Sequence, residues 1–139
     1  LNPAPAKPAA PLLLEYVDVV LPNEHEVASV GDTTGVPVLI VTEGDRGSSV
    51  RTDGAQWRVE PYEVVAVDTV AAGDAFCGYL AAGLADGLTL EVSLERASAA
   101  GALATLVRGA VPSLPTAADV DALIARGRAL PNRPTAPPR

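Results

Sequence analysis

Apolar residues follow two different rhythms along the chain. Up to residue 67 they fall in short runs bounded by turn formers, the signature of buried strands. Residues 17–21 make one such run, closed by Pro22. Residues 36–41 make another, rich in β-branched side chains. Residues 48–51 and 56–60 flank Thr52-Asp53-Gly54-Ala55, and Asp-Gly between two extended runs predicts a β-hairpin. Residues 64–67 predict one more short strand.

From Gly73 the period changes. Phe76, Leu80, Gly83 and Leu84 recur at helical spacing, which predicts a helix ending near Asp86-Gly87, where glycine supplies the stop. A second helix is predicted over 91–106. Leu94, Ala97, Gly101, Ala104 and Thr105 form its packing stripe, small enough for another backbone or a flat ligand to come close. Thr116, with Asp119 one turn later, predicts a capped helix start, with Val120, Leu123 and Ile124 facing inward. Residues 1–11 are rich in Pro and Ala and cannot be helical throughout. The tail 131–139 has four prolines in nine residues and is expected to be disordered. Strands lead and helices follow, with one hairpin inserted. That order predicts part of a layered α/β domain over 1–130, without internal repeats.

Composition narrows the picture. The chain has 139 residues, 48 % of them apolar but only 4 % aromatic, so its core is expected to be close-packed small aliphatic groups. A net charge of −7 argues against a nucleic-acid surface, which needs clustered Lys and Arg. It leaves room for a single nucleotide, because backbone N–H groups can hold phosphate locally. The single cysteine, Cys77, excludes an internal disulfide framework and suits a reduced, cytoplasmic setting. No apolar run reaches the length of a membrane span. The chain starts at Leu1 without a signal-peptide pattern, and the expectation is that it is cut from a longer protein.

The segment richest in chemistry is Val67-Asp68-Thr69-Val70-Ala71-Ala72-Gly73-Asp74-Ala75-Phe76, at the hand-over from strand to helix. Small residues at 71–73 let the backbone turn sharply and expose consecutive N–H groups, and the helix start adds its positive dipole end. Such a site suits a phosphoryl group gathering charge in transit. A carboxylate beside it, Asp74, can accept a proton from an attacking hydroxyl. By spacing alone, an ordinary first-turn aspartate at a helix N-terminus is an equally good reading.

This segment resembles the Asp-Thr-x-Ala-Ala-Gly-Asp form of the second signature of the ribokinase or PfkB family of carbohydrate kinases. Further resemblances follow in family order. Asn2-Pro3-Ala4-Pro5-Ala6 resembles the segment after a central strand, and Pro22-Asn23-Glu24-His25-Glu26 the Asn-x-x-Glu motif. Thr42-Glu43-Gly44-Asp45-Arg46-Gly47 resembles the Thr-x-Gly-x-x-Gly nucleotide loop. Arg108-Gly109-Ala110-Val111-Pro112-Ser113 resembles the segment closing a monovalent-cation site. The resemblance implies a Rossmann-like ribokinase fold, present as the C-terminal portion of an α/β/α domain. It also implies transfer of the γ-phosphate of ATP to a sugar hydroxyl, with Mg²⁺ and K⁺.

By the same resemblance Asp74 is the catalytic base and touches the sugar, while Ala71, Ala72 and Gly73 form the anion hole. Asn23 and Glu26 place phosphate and Mg²⁺ through water. Thr42, Glu43, Gly44, Asp45, Arg46 and Gly47 run along the nucleotide, joined by Gly73 and Asp74, with Ser98 near adenine. Asp68, Val70, Ala104, Val107, Gly109 and Ser113 surround the monovalent cation. The implied partners are ATP and a small sugar, with neither nucleic acid nor membrane, and a homodimer fits the full-length protein. Ala71-Ala72 and Asn2-Pro3-Ala4-Pro5 favour ribose. A fructokinase, a nucleoside kinase, and a truncated non-catalytic nucleotide-binding module are the rivals.

Without the other motifs each residue has a plainer role. Asn23 and Glu26 read as a loop or cap cluster, Gly44 and Gly47 as a turn, and Asp68 as a turn cap. His25 reads as a solvated loop residue, Cys77 as a packed thiol and Trp57 as part of the hairpin's packed face. Arg46 reads as an exposed loop arginine or a phosphate contact. Two departures from the family stand out. Members are longer at the N-terminus, where most sugar contacts lie, so this polypeptide alone is expected to be weakly folded or inactive. Residues 27–35 are short for a parallel crossover. A lost helix or a disturbed strand order is expected there, with one sheet face and one flank of the nucleotide site left open.

Overall fold

The computed structural model describes residues 1–5 and 10–127. Ala6 of the Asn2–Ala6 segment and the 131–139 tail lie outside the described residues. In chain order, a 3₁₀ helix (Ala10–Tyr16) leads to β1 (Val19–Val20), α1 (Val27–Val30) and β2 (Val38–Thr42). A 3₁₀ turn (Gly44–Arg46), β3 (Ser48–Thr52) and β4 (Ala55–Val59) follow, then α2 (Ala72–Ala85), α3 (Leu90–Ala104), α4 (Ala110–Ser113) and α5 (Ala117–Arg126).

The strands form one mixed sheet in the order β1-β2-β3-β4, with β1 and β2 parallel and the other pairs antiparallel. Ile40, Val50 and Trp57 lie opposite one another in register, so one face of three strands is apolar. That face, with Leu21 and Val59, packs against Phe76 and Leu80 of α2 and Leu94 and Ala97 of α3. Cys77 and Trp57 are partly buried against the same cluster, in the packing roles expected of them. The outer face of the hairpin carries Ser49, Arg51 and Arg58 and has no apolar cover.

The hairpin closes as its Asp-Gly predicts: Thr52 pairs with Ala55, and Gly54 takes φ 91°. Strand β2 starts two residues later than its apolar run, since Pro37 has no N–H for a ladder. The helices α2 and α3 cross closely. A Cβ on Gly83 would stand 2.7 Å from Ser93 Oγ, and one on Gly101 3.3 Å from the Ala72 carbonyl oxygen. The small-residue stripe of α3 is therefore spent on another helix. At α5 the capping box forms, with Asp119 N–H donating to Thr116 Oγ1 at 3.3 Å and Thr116 N–H to Asp119 Oδ2 at 2.9 Å. Val120 is buried, and Leu123 and Ile124 pack around it.

Two expectations need correction. Residues 64–67 form no strand. Val65 and Val67 are 70 % and 54 % exposed, and no strand runs beside them. The Val67 and Asp68 N–H groups instead donate to the Thr105 carbonyl, at 2.7 and 3.1 Å, so this stretch is tied to the end of α3 rather than to the sheet. α3 stops at Ala104, short of Leu106, because the Thr105 and Leu106 N–H groups turn to the Ala102 and Leu103 carbonyls, three residues back. Of the two outcomes expected at the short 27–35 link, a disturbed strand order does not occur, and the crossover helix is instead reduced to a single turn. β1 and β2 remain parallel neighbours, and a single-turn α1 makes the crossover. Val30 from α1 and Val36 close over Val20, with Leu14 and Val17 packed beside them. Among the described residues no helix is long and apolar enough to cross a membrane.

Candidate functional site

The carboxyl ends of parallel strands are where open α/β sheets bind ligands, and β1 and β2 end side by side. The Glu24 N–H donates to the Thr42 carbonyl at 3.0 Å, and the Thr42 N–H to the Pro22 carbonyl at 3.0 Å. This parallel bridge brings Asn23 against Thr42. Asn23 Oδ1 accepts from the His25 and Glu26 N–H groups at 2.9 and 3.0 Å, while Glu26 Oε2 accepts from the Asn23 N–H at 3.0 Å. The pair thus forms a reciprocal cap on its own turn. His25 is solvated, as expected.

After Thr42 the chain enters the 3₁₀ turn. Its backbone is fixed by Glu43 N–H to Gly47 carbonyl (2.8 Å), Arg46 N–H to Glu43 carbonyl (3.2 Å) and Gly47 N–H to Gly44 carbonyl (3.1 Å). Gly44 and Gly47 have φ of 61° and 82°. Gly47 has a second requirement, because a Cβ there would stand 2.2 Å from the Val59 carbonyl oxygen. Asp45 is exposed at the tip. Arg46 turns its guanidinium to Glu24 and, at 3.8 Å, to Glu43, so a carboxylate rather than an open space meets it.

The second group of residues surrounds the start of α2. Ala71 has φ 65° and ψ 3°, the one non-glycine residue in the left-handed region among those described. The Ala72 N–H donates to the Thr69 carbonyl at 3.3 Å, and Ala75 N–H makes the first helical bond, to Ala71 at 2.8 Å. No side chain caps this helix. The N–H groups of Gly73 and Asp74 therefore have no intrahelical acceptor, and both residues are exposed. A Cβ on Gly73 would meet nothing within 4 Å, so the ground in front of the helix start is open. Asp74 stands in that first turn with its carboxylate available for proton transfer.

Asp68 ties this loop down. Its Oδ2 accepts from the Gly109 N–H at 3.0 Å and its Oδ1 from the Val70 N–H at 3.1 Å. The Gly109 bond first, then the Val70 bond, hold its carboxyl below the usual carboxylate range. Val70 and Gly109 are thereby held on one carboxylate, whereas Ala104 is buried in the helical core and Val107 is exposed, and no described bond joins either to Asp68. Ser113 is buried in α4, with its hydroxyl donating to the Ala110 carbonyl at 2.8 Å. Carboxylate oxygen is the ligand type a hard cation takes, but both Asp68 oxygens already accept a backbone N–H. Among the described residues no three His, Cys, Asp or Glu side chains gather to hold a metal. Mg²⁺ at Glu26 would thus need water or bound phosphate to complete its shell.

The two groups meet through the core. Leu21, Ile40 and Phe76 share one buried cluster, and Asn23, Thr42 and Asp74 each follow or precede one of them by two positions. Ser98 stands half-buried in the middle of α3, and no described hydrogen bond joins it to either group. Glu24 and Arg58 were not singled out from the sequence. Arg58 Nη2 donates to Glu43 Oε2 at 2.9 Å and to the Arg46 carbonyl at 2.8 Å. The available signal was its outward position between inward-facing Trp57 and Val59 on a hairpin whose other strand leads out of the loop.

Comparison with known proteins gives a consistent result. The family model described as pfkB family carbohydrate kinase matches residues 1–117. A ribokinase of Schizosaccharomyces pombe is 32 % identical over 142 residues, covering 87 % of this chain and 45 % of the relative. A probable fructokinase-4 of Arabidopsis thaliana is 38 % identical over 98 residues, covering 66 % and 30 %. Among solved structures, a putative ribokinase II from E. coli in complex with ATP and Mg²⁺ aligns with a TM-score of 0.75 and 30 % identity, over 83 % of this chain and 41 % of that one. The chain therefore spans less than half the length of these relatives.

Proposed function

The chain belongs to the pfkB family of carbohydrate kinases, and from that premise we propose that it forms the nucleotide-binding and catalytic portion of an ATP-dependent sugar kinase. Ribose is the favoured acceptor. The observation that carries this reading is the uncapped start of α2, with two N–H groups lacking an acceptor and Asp74 beside them. There the primary hydroxyl of the sugar gives its proton to Asp74 and its oxygen attacks the γ-phosphorus in line. The bond to the β–γ bridging oxygen breaks and ADP leaves. The Gly73 and Asp74 N–H groups face charge that grows as the phosphoryl group crosses.

Thr42 to Gly47 lie along the nucleotide in this reading. Mg²⁺ at Asn23 and Glu26, held through water, would neutralise phosphate charge. A potassium-like ion among Asp68, Val70, Ala104, Val107, Gly109 and Ser113 would steady the loop that carries the anion hole. A reduced cytoplasmic setting agrees with the free thiol of Cys77. Support for ribose comes from Ala71-Ala72 and the Asn2-Pro3-Ala4-Pro5 segment, and the match to a fructokinase keeps fructose as the rival acceptor.

A second reading is a nucleotide-binding module without catalysis, for which the cross-linked loops after β1 and β2 would suffice. Calorimetric titration of the protein that carries this chain with ATP and Mg²⁺, with and without ribose, separates the two. ATP binding tightened by ribose supports the kinase. ATP binding indifferent to ribose and fructose supports the module. No ATP binding overturns both.

A further inference from the structure

Arg58 lies outside every motif discussed so far. It sits on β4 opposite Ser49, on the hairpin face away from the core. Its guanidinium reaches back to the loop after β2. Nη1 and Nη2 donate to the two carboxylate oxygens of Glu43 at 3.3 and 2.9 Å, and Nη2 also donates to the Arg46 carbonyl at 2.8 Å. One side chain thus grips both ends of the 3₁₀ turn Gly44–Arg46. Glu43 is the better buried partner, its side chain 17 % exposed against 46 % for Arg58. Arg58 holds the Glu43 carboxyl below its ordinary range, so the fork is charged at neutral pH. Arg46 in turn reaches Glu24, in the loop after β1.

We propose that Arg58 is a positioning residue for the nucleotide loop: gripping Glu43 and the Arg46 carbonyl, it sets the 3₁₀ turn, and Arg46 hands that order on to Glu24 and the Asn23 turn. The proposal rests on the reading of Thr42–Gly47 as the contact for a nucleoside triphosphate. Its physical basis is geometric. A half-exposed ion pair adds little to global stability. A planar fork that fills two carboxylate oxygens and one carbonyl fixes the direction of each. The turn needs such a strut because it holds two glycines, which lose the most backbone entropy on ordering. Lysine keeps the charge but cannot reproduce the fork.

The test uses the protein that carries this chain, as wild type and with Arg58→Lys and Arg58→Gln. ATP affinity is read by calorimetry, melting temperature by calorimetric scan, and amide exchange by NMR at Glu43, Arg46 and Gly47, whose N–H groups make the turn's internal bonds. Both variants are expected to weaken ATP binding about fivefold, the scale of a partly exposed charged fork. Exchange at those three amides accelerates while the melting temperature stays within about 4 °C, the shift for about 1 kcal/mol. Unchanged affinity together with unchanged exchange overturns the proposal. So does a general rise in exchange with a large drop in melting temperature, which marks Arg58 as an ordinary stability contact. Should Arg58→Gln not fold, Arg58→Lys decides. Should the wild-type protein bind no ATP, the nucleotide reading falls, and the exchange data alone decide whether the strut exists.

Discussion

The loops after β1 and β2 and the loop before α2 both offer backbone to a ligand, but they differ in where their polar groups go. In the first, Asn23, Glu26, Glu24, Arg46, Glu43 and Arg58 all bond to one another or to nearby backbone. That region is cross-linked before any ligand arrives. In the second, the N–H groups of Gly73 and Asp74 face outward with no cap, and Ala71 sits in a conformation that non-glycine residues avoid. The chain holds that region open at some cost in stability. The contrast fits the two tasks in the proposed function. A surface that recognises a nucleotide gains from being preorganised by its own side chains. A surface that stabilises a transferring group must keep donors unspent for it.

The sharpest way to break this comparison is at Asp74. Asp74→Asn removes the proton acceptor and leaves the backbone donors in place. Phosphoryl transfer by the protein that carries this chain is expected to fall about a thousandfold, the scale of a lost general base. On the proposed reading the ATP contacts lie in the other region, so ATP affinity should hold within about twofold. Single-turnover kinetics beside calorimetric titration check the split. Equal losses in rate and affinity would merge the two regions into one binding surface.

Next in size is Gly47 set against Gly44. Gly47→Ala puts a methyl group 2.2 Å from the Val59 carbonyl oxygen at φ 82°. A loss of about 3 kcal/mol is expected, from strain together with displacement of β4. Gly44→Ala carries the backbone strain at φ 61° but meets nothing within 4 Å, so about 1 kcal/mol is expected. Urea unfolding of both variants measures the difference. Equal losses would mean that the loop is not pressed against the hairpin.

Some of this was legible in the chain and some was not, for identifiable reasons. The Asp53-Gly54 hairpin and the Thr116–Asp119 capping box depend on neighbours within a few residues, and both form as expected. The family motifs locate Asn23 and Thr42 after strand-like runs and Asp74 at a helix start, because each lies two positions from a core residue that pattern alone reveals. A strand at 64–67 failed because a strand needs a partner ladder, and what lies beside this stretch is the end of α3. Arg58 and Glu24 escaped notice because each meets its partner across 15 or 22 positions. Nothing in the identity of Ala71 announces a left-handed backbone.

A smaller effect is expected from acid titration of Asp68. Its carboxyl is depressed in the folded chain, so its contribution to stability is complete above the unfolded value, about 3.9. That contribution fades as pH falls through the lower folded value. Asp68→Asn should cost stability at pH 7 and leave a flatter acid limb, because an amide NH₂ must then face either Gly109 or Val70 N–H. Glu43 and Asp119 are depressed too and keep part of the slope in the variant. Urea midpoints from pH 7 down to pH 3 decide it. An unchanged slope would show that Asp68 does not clamp the loop.

The smallest effect, and the one that bears most directly on the comparison, is a gain. Ala71 at φ 65° carries a left-handed penalty of about 1–2 kcal/mol. Glycine removes that penalty but adds backbone entropy to the unfolded chain, worth about 0.4–1 kcal/mol in the opposite direction. Ala71→Gly should therefore stabilise the chain by about 0.8 kcal/mol, the difference between those terms at mid-range. The start of α2 should keep its geometry, since no side chain of Ala71 caps it. The gain would show as a small rise in the urea midpoint with an unchanged slope. A loss of stability would mean that the alanine methyl group packs usefully and that the left-handed turn is not strained. The uncapped helix start would then be an ordinary helix end, and the contrast between a cross-linked region and an open one would lose its energetic basis.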